Sequence, residues 1–252
     1  MDYCVISVDK DGNITTLVEC MHQTEYDEIL ASVDRLQKGM LCKDYIAIVT
    51  ENIRELKEYF TRLELNNRRQ FQILNRYTYN ILGAYYAWIE FWESNFKTVF
   101  APIKKKYYDQ YFEYRMMYNL RTYMTHCEMG VTKTRLDIIN DQLTVYIEPS
   151  RLLAHSERMQ KIFIPELEAM VKKKEDIELD QLVNGFEKIY IEMNRELLSA
   201  ITPELQGILN KLSTYLVFRN GVADSTYIRE IESGKHALGL TSFLGVFAEK
   251  WC

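Results

Sequence analysis

Large apolar side chains recur at three- and four-residue steps from Leu74 to Trp92, which is the spacing of one face of an α-helix. A face this broad is stable only when other elements cover it. The 252 residues include only 10 glycines and 4 prolines, so the chain has few places to turn. We therefore predict long helices packed around this segment. The residues of the predicted face are Leu74, Tyr77, Ile81, Ala84, Tyr85, Trp88, Phe91 and Trp92.

Helical patterning also covers most of the rest of the chain. It begins at about Thr24, a favourable N-cap, and pauses at Lys38–Gly39, where glycine favours a break. Pro102 and Pro203 fit the first turn of a helix, because the N–H that proline lacks has no helical partner there. The predicted helices cover residues 24–38, 43–63, 66–97, 102–130, 151–173, 177–200 and 203–217.

Three segments show strand patterns instead. Asp11–Gly12 stands between two β-branched runs, which predicts a hairpin over residues 1–20. A second hairpin is predicted over 131–148, with its turn at Asn140–Asp141, and a short strand over Thr226–Ile231. We therefore expect a mainly α fold with small β-hairpin accessories. Its predicted parts are the hairpin 1–20, a helical bundle over 21–130, the hairpin 131–148, and C-terminal helices over 149–252 packed on the same domain.

The composition is that of a folded, soluble protein, with 47% apolar and 27% charged residues. No apolar stretch approaches the roughly 18 residues of a membrane span, so we expect no membrane association. The cysteines are odd in number, have no C-x-x-C spacing and follow no signal peptide, which predicts reduced thiols in the cytoplasm. The five cysteines are Cys4, Cys20, Cys42, Cys127 and Cys252.

The net charge of -5 argues against a protein that coats duplex DNA through its overall field. The balance reverses between Lys104 and Arg135, where seven basic and three acidic residues leave an excess of four positive charges. A solvated helix face explains this excess as well as a nucleic-acid groove does. Lys104 and Lys105 are accordingly interpreted either as a solvated helix start or as contacts to an RNA backbone.

Arg121 and His126 are the residues with the clearest chemical potential. Histidine moves a proton near neutral pH, and arginine holds the charge that builds on a phosphate, which are two requirements of metal-free RNA cleavage. Five residues of helix separate the two side chains by about 140° and about 7.5 Å. One helix therefore supplies one histidine only, and two copies that face each other across a dimer would supply two.

The sequence around this pair resembles the motif helix of HEPN-domain proteins (higher eukaryotes and prokaryotes nucleotide-binding). The similar runs are Tyr111–Cys127, YFEYRMMYNLRTYMTHC, and Leu74–Ala84, LNRYTYNILGA, and the resemblance extends over about residues 40–160. It implies an antiparallel helical bundle that dimerises through its motif helix. It also implies metal-independent cleavage of single-stranded RNA, in phage defence or a toxin–antitoxin system.

The resemblance also assigns site residues. The motif arginine falls on Arg121 and the motif histidine on His126. The next position commonly holds Asn, Asp or His, and Thr122 departs from that pattern, since a hydroxyl lacks the two-ended reach of an amide. Thr122 and Tyr123 are expected to orient the substrate or the motif. An acidic residue of the preceding helix is implied near the site, with Glu93 as the candidate and Glu90 as the alternative.

Structural interpretations of the same residues stay open. His126 also suits a helix C-terminus, where the macrodipole favours a cation. Arg121 also suits an ion pair with Glu128 or Glu93. The tyrosines at 107, 111, 114 and 118 are interpreted as core or dimer interface in preference to a platform for stacked bases.

The sequence therefore predicts an endoribonuclease of the HEPN type that acts as a homodimer. Glycine-rich phosphate loops, G-x-S-x-G and H-E-x-x-H are absent, so nucleotide hydrolases, serine hydrolases and zinc proteases have no support. His22, His155 and His236 are isolated along the chain, and neither a metal nor a cofactor is predicted. One alternative is a catalytically silent helical module that binds RNA or a partner protein, such as an antitoxin or defence protein. Another is a structural subunit of a larger defence assembly.

Overall fold

Eight α-helices account for most of the residues that the structure, a computed structural model, describes: 2–64, 69–137, 142–219 and 222–251. The expectation of a mainly helical protein with small antiparallel sheets is confirmed. None of these helices has the combination of length and apolar character that crossing a bilayer requires. The helices are α1 Gln23–Phe60, α2 Gln70–Asn95, α3 Lys97–Gln110, α4 Phe112–His126, α5 Pro149–Leu153, α6 Ile164–Lys173, α7 Leu179–Ser213 and α8 Leu240–Trp251.

The strands form three antiparallel sheets. A four-stranded sheet has the order β2-β1-β8-β9, a three-stranded sheet the order β3-β4-β5, and β6 pairs with β7. The strands are β1 Asp2–Val8, β2 Ile14–His22, β3 Val131–Asp137, β4 Gln142–Ile147, β5 Ile177–Glu178, β6 Phe218–Arg219, β7 Val222–Ala223, β8 Ser225–Glu230 and β9 His236–Gly239. Both predicted hairpins and the predicted strand near 226–231 are confirmed. The turn predicted at Asn140–Asp141, the helix start at residue 66 and Cys252 lie outside the described residues.

The chain divides into two compact units. The terminal unit combines Met1–Lys43 with Ser199–Cys252, and the central unit is Asp44–Leu198. In the terminal unit, β1 lies between β2 and β8, so that Val5 opposes Val18 on one side and Ile228 on the other. The N-terminal hairpin is thus one half of a sheet that the C-terminal segment completes. Four strands follow α7, β6 to β9, of which the sequence predicted only the one near 226–231.

Two predicted helix breaks are wrong, and tertiary packing explains one of them directly. Helix α1 runs through Lys38–Gly39 without a pause. A Cβ at Gly39 would lie only 2.6 Å from Leu205 Cδ1, so glycine is required there for close packing within the terminal unit. Helix α7 likewise continues through Pro203, between Ile201 and Leu205, which are both fully buried. Burial on both sides of the proline offsets the one helical hydrogen bond that it removes.

The predicted fourth helix is in fact two helices, α3 and α4. Pro102 lies inside α3 and not at its start, because α3 already begins at Lys97. The break falls at Tyr111, whose extended backbone (φ -117°, ψ 122°) separates the two helices. Tyr107 and Tyr114 are fully buried, whereas Tyr111 and Tyr118 are partly exposed. The four tyrosines therefore do not share one helical stripe, although Tyr107 and Tyr111 stack at 5.5 Å between ring centroids.

The core of the central unit is an aromatic cluster between α2, α4 and α7. The predicted apolar face of α2 is buried except at Tyr77 and Ala84, which are half-buried, and Tyr85 and Trp88 lie at its centre. The Tyr85 ring meets Tyr114 of α4 edge-on at 5.8 Å and Phe186 of α7 at 5.0 Å. Trp88 donates a hydrogen bond from Nε1 to Asn194 Oδ1 at 3.0 Å. Because α4 contributes to this cluster through one side only, its opposite side is turned away from the core.

Asn75 attaches the hairpin β3–β4 to α2. Its amide donates to the Val131 carbonyl at 2.8 Å and accepts from the Val131 N–H at 2.9 Å. All these groups are buried, and the amide satisfies both polar groups of the first residue of β3. The side chain thus fixes the segment that follows α4.

Candidate functional site

Arg121 lies flat on the ring of Tyr86, a residue of the neighbouring helix α2. The guanidinium carbon is 3.5 Å from the ring centroid, a close cation–π contact. The nearby Glu90 carboxylate, together with burial, raises the pKa of Tyr86. Within the described ranges, Arg121 has no carboxylate partner. The two partners proposed for it are engaged elsewhere: Glu93 pairs with Lys104 and Glu128 pairs with Arg151.

The space around Arg121 is small. A cleft of about 30 Å³ adjoins it, which is room for roughly one or two water molecules. Thr122, the residue after Arg121, lines this cleft, and His126 does not. The lining residues are Tyr85, Tyr86, Ile89, Tyr118, Arg121 and Thr122. Among the described residues, the cleft beside Arg121 is therefore too small for a nucleotide.

His126 is the last residue of α4 and is exposed to solvent. Its imidazole has no hydrogen-bond partner in the part of the chain that the structure describes. Helix α4 is regular up to this end, since Thr125 Oγ1 donates to the Arg121 carbonyl at 2.8 Å. Helical geometry therefore separates Arg121 and His126 by about 140° around the axis. Arg121 therefore lies against α2, whereas His126 is exposed to solvent.

Tyr123 is a core residue and does not face the site. It is fully buried, its hydroxyl donates to Glu128 at 3.4 Å, and its ring meets His155 at 5.7 Å. Burial, assisted by the Glu128 carboxylate, raises the pKa of Tyr123 to about 12. This tyrosine is placed to orient the end of α4 from inside and does not reach a substrate.

Glu93, Lys104 and Lys105 lie along a second, charged groove of about 580 Å³. Lys104 Nζ is 2.6 Å from Glu93 Oε1, and Lys105 Nζ is 2.6 Å from Asp109 Oδ2. Both lysines are therefore locally neutralised. Their pairing favours the solvated-helix interpretation, because a phosphate must displace a carboxylate to bind either of them.

A third groove, of about 680 Å³, was not identified from the sequence. It is mainly apolar, and Tyr79 and Met129 on its walls are 48% and 60% exposed. Arg151 at its edge is held by Glu148 at 3.1 Å. Its walls come from α2, β3, α5 and the loop after α4, so no local motif reveals it. The lining residues are Phe71, Gln72, Asn75, Arg76, Tyr79, Met129, Val131, Thr132 and Arg151.

The terminal unit contains a separate group of chemically active side chains. Asp2, Cys20 and His22 bring a carboxylate, a thiol and an imidazole within 4.8 Å of one another. No local sequence pattern reveals this group, because Asp2 and His22 are distant along the chain and meet only through the β1–β2 register.

No protein-family model, curated protein or solved structure matches this chain. The HEPN resemblance therefore stays a prediction, and the function is argued from the geometry described above.

Proposed function

We propose that the chain is a metal-independent endoribonuclease that cleaves single-stranded RNA as a homodimer. Helix α4 serves as a HEPN-like motif helix, and the biological setting is phage defence or a toxin–antitoxin system. The supporting observation is the environment of the Arg121 guanidinium. Its charge is held on the face of Tyr86 and is not cancelled by a carboxylate of the described chain, so its N–H groups can bind a phosphate.

The proposed chemistry needs one base, one acid and one cation. An imidazole of His126 removes the proton from a ribose 2'-hydroxyl, and the 2'-oxygen attacks the adjacent phosphorus. Arg121 stabilises the negative charge on the pentacoordinate phosphate. The 5'-oxygen leaves with a proton from a second imidazole, and the products are a 2',3'-cyclic phosphate and a 5'-hydroxyl. DNA lacks the 2'-hydroxyl and is not cleaved.

The need for a second imidazole is the reason for the proposed dimer. The side chains of Arg121 and His126 point in directions about 140° apart, and the cleft beside Arg121 is too small for a nucleotide. A second α4 facing the first would supply the missing histidine and enclose the phosphate between two arginines. Thr122, which lines the cleft, is placed to contribute one hydrogen bond to this arrangement.

The second candidate is a catalytically silent module of the same fold that binds RNA or a partner protein. The observation that favours it is the groove beside Tyr79 and Met129, which is far larger than the Arg121 cleft. An exposed tyrosine ring is a surface on which an unpaired base stacks. In this case Arg121 and His126 contribute to binding and no product forms.

The test is cleavage of end-labelled single-stranded RNA and matched single-stranded DNA in EDTA by the wild type and three variants. We expect RNA cleavage with 2',3'-cyclic phosphate ends, lost in Arg121→Ala and His126→Ala. Thr125→Ser is the matched control, because it keeps the hydroxyl that donates to the Arg121 carbonyl and removes only one methyl group beside His126. Near-wild-type cleavage by His126→Ala would overturn the mechanism. RNA binding without product, by a protein shown to be a folded dimer, would establish the silent module.

A further inference from the structure

The open end of the β1–β2 hairpin brings together three side chains of the kind that bind metals. Asp2 and His22 are directly opposed across the two strands, and His22 Nδ1 lies 3.3 Å from Asp2 Oδ1. Cys20 is two residues before His22 and is a free thiol. The ligand atoms of all three lie within 4.8 Å of one another. A four-coordinate zinc ion, with bonds of about 2.0–2.3 Å, needs only small rotations of these exposed side chains to bind all three.

The local strand geometry explains why the three side chains share one face. Residues opposed across two strands point to the same side of the sheet, which places Asp2 and His22 together. The register between the strands shifts beside Cys20, because the interval Tyr3–Val5 on β1 opposes the longer interval Val18–Met21 on β2. This bulge ends at Met21, which is fully buried. It re-aims the neighbouring side chains, as bulges do near binding sites.

Buried residues next to these side chains fix the open end of the hairpin. Tyr3 opposes Met21, both are buried, and the Tyr3 ring stacks on Tyr26 at 3.9 Å between centroids. Asp2 and His22 flank this buried pair on the two strands. The backbone positions of the ligands are therefore fixed by packing, while the side chains remain free to close on an ion.

An exposed edge strand carries polar residues in any case, because they prevent pairing with other chains. Strand β2 is such an edge. Polar residues at this position are therefore not evidence of a metal site by themselves. The evidence is that a carboxylate, a thiol and an imidazole converge on one point. Thiolate and imidazole ligands select zinc and other borderline transition metals over magnesium and calcium.

We propose that Asp2, Cys20 and His22 form a surface site for a divalent transition metal ion, with zinc as the best fit. The three protein ligands leave the fourth position to a water molecule. The Cys20 thiol releases its proton when the sulfur binds the ion, so binding weakens as pH falls. This site belongs to the terminal unit and is independent of the ribonuclease proposal, which uses residues of the central unit and no metal.

The test uses Co²⁺ as a spectroscopic probe for zinc, added to the full chain in a phosphine reductant that contains no thiol. We expect one equivalent of Co²⁺ to give a thiolate-to-cobalt charge-transfer band and the intense visible bands of four-coordinate cobalt. One equivalent of Zn²⁺ should remove both. Cys20→Ser should abolish the charge-transfer band. His22→Ala and Asp2→Asn should each weaken binding by about tenfold or more, because even residues that only hydrogen-bond to a metal ligand change metal affinity by that much.

Cys4→Ser and Cys127→Ser are the matched controls, because both residues are free cysteines outside the group of three. Both should retain the wild-type spectrum. Circular dichroism verifies that each variant is folded. The site is overturned if folded wild-type protein gives no charge-transfer band, or if the band survives in Cys20→Ser. The outcome is separate from RNA cleavage, which is measured in EDTA.

Discussion

Leu120 and Tyr123 lie on the side of α4 that is fully excluded from solvent, whereas Thr125 and His126, on the same helix, are exposed. The buried side includes Tyr114, whose ring contacts Tyr85 of α2, and its residue types are set by packing. The exposed side makes almost no contacts that the fold requires. Residues on the exposed side are therefore free to act on another molecule, and substitutions on the two sides should have separable effects.

The largest expected effect is on stability, from Leu120→Ala. Leu120 is fully buried and packs against Gly130, where an added Cβ would lie 2.9 Å from its Cδ1. Removing its side chain leaves a cavity, so the free energy of unfolding should fall by about 2–5 kcal/mol. His126→Ala should change it by less than about 0.5 kcal/mol, as for most exposed positions. Denaturant titration of both variants measures the difference. Equal midpoints would show that the two sides of α4 do not differ as described.

A smaller effect is expected from Tyr86→Leu, which removes the ring under Arg121. Loss of the cation–π contact should lower the free energy of unfolding by about 0.5–2 kcal/mol. RNA cleavage should fall as well, because the guanidinium loses its support. Tyr86→Phe is the control, since it keeps the ring and removes only the hydroxyl group. If Tyr86→Phe and Tyr86→Leu behave alike, the ring does not position Arg121.

The pH-dependent effect of Tyr123 is absent at neutral pH and develops only at alkaline pH. Its pKa is raised to about 12 in the folded chain, against about 10 for a solvated tyrosine. The unfolded chain therefore loses this proton first, and the stabilisation, complete below pH 10, is lost as pH rises towards 12. The denaturation midpoint of the wild type should fall more steeply over this range than that of Tyr123→Phe. Parallel pH profiles would show that Tyr123 titrates as a solvated residue.

Much of the secondary structure could be predicted, because it is encoded locally. Alternating residues around Asp11–Gly12 predict the first hairpin, and the three- and four-residue spacing predicts the buried face of α2. The errors at Gly39 and Pro203 have one cause. Glycine and proline weaken a helix locally, but residues distant in sequence, such as Leu205 against Gly39, decide whether it continues.

The candidate site was predictable only as far as α4 itself. The sequence identifies Arg121 and His126 as members of one helix, and their directions follow from helical geometry. The residues that surround Arg121 cannot be predicted from the sequence in the same way. The packing of α2 against α4 places Tyr86 beside Arg121, and Glu93 forms an ion pair with Lys104 instead. No single segment of the sequence encodes this packing. The cluster at His22 depends in the same way on a strand register.

The position of β1 in its sheet has a consequence for synthesis on the ribosome. Strand β1 pairs with β2, which follows it at once, and also with β8, which is made more than 200 residues later. All residues of the central unit leave the ribosome before β8 does, and domains made first generally fold first. The central unit can therefore fold during translation, while one edge of β1 waits unpaired until the final segment emerges. Slow elongation late in the message would prolong the period in which that edge is open to other chains.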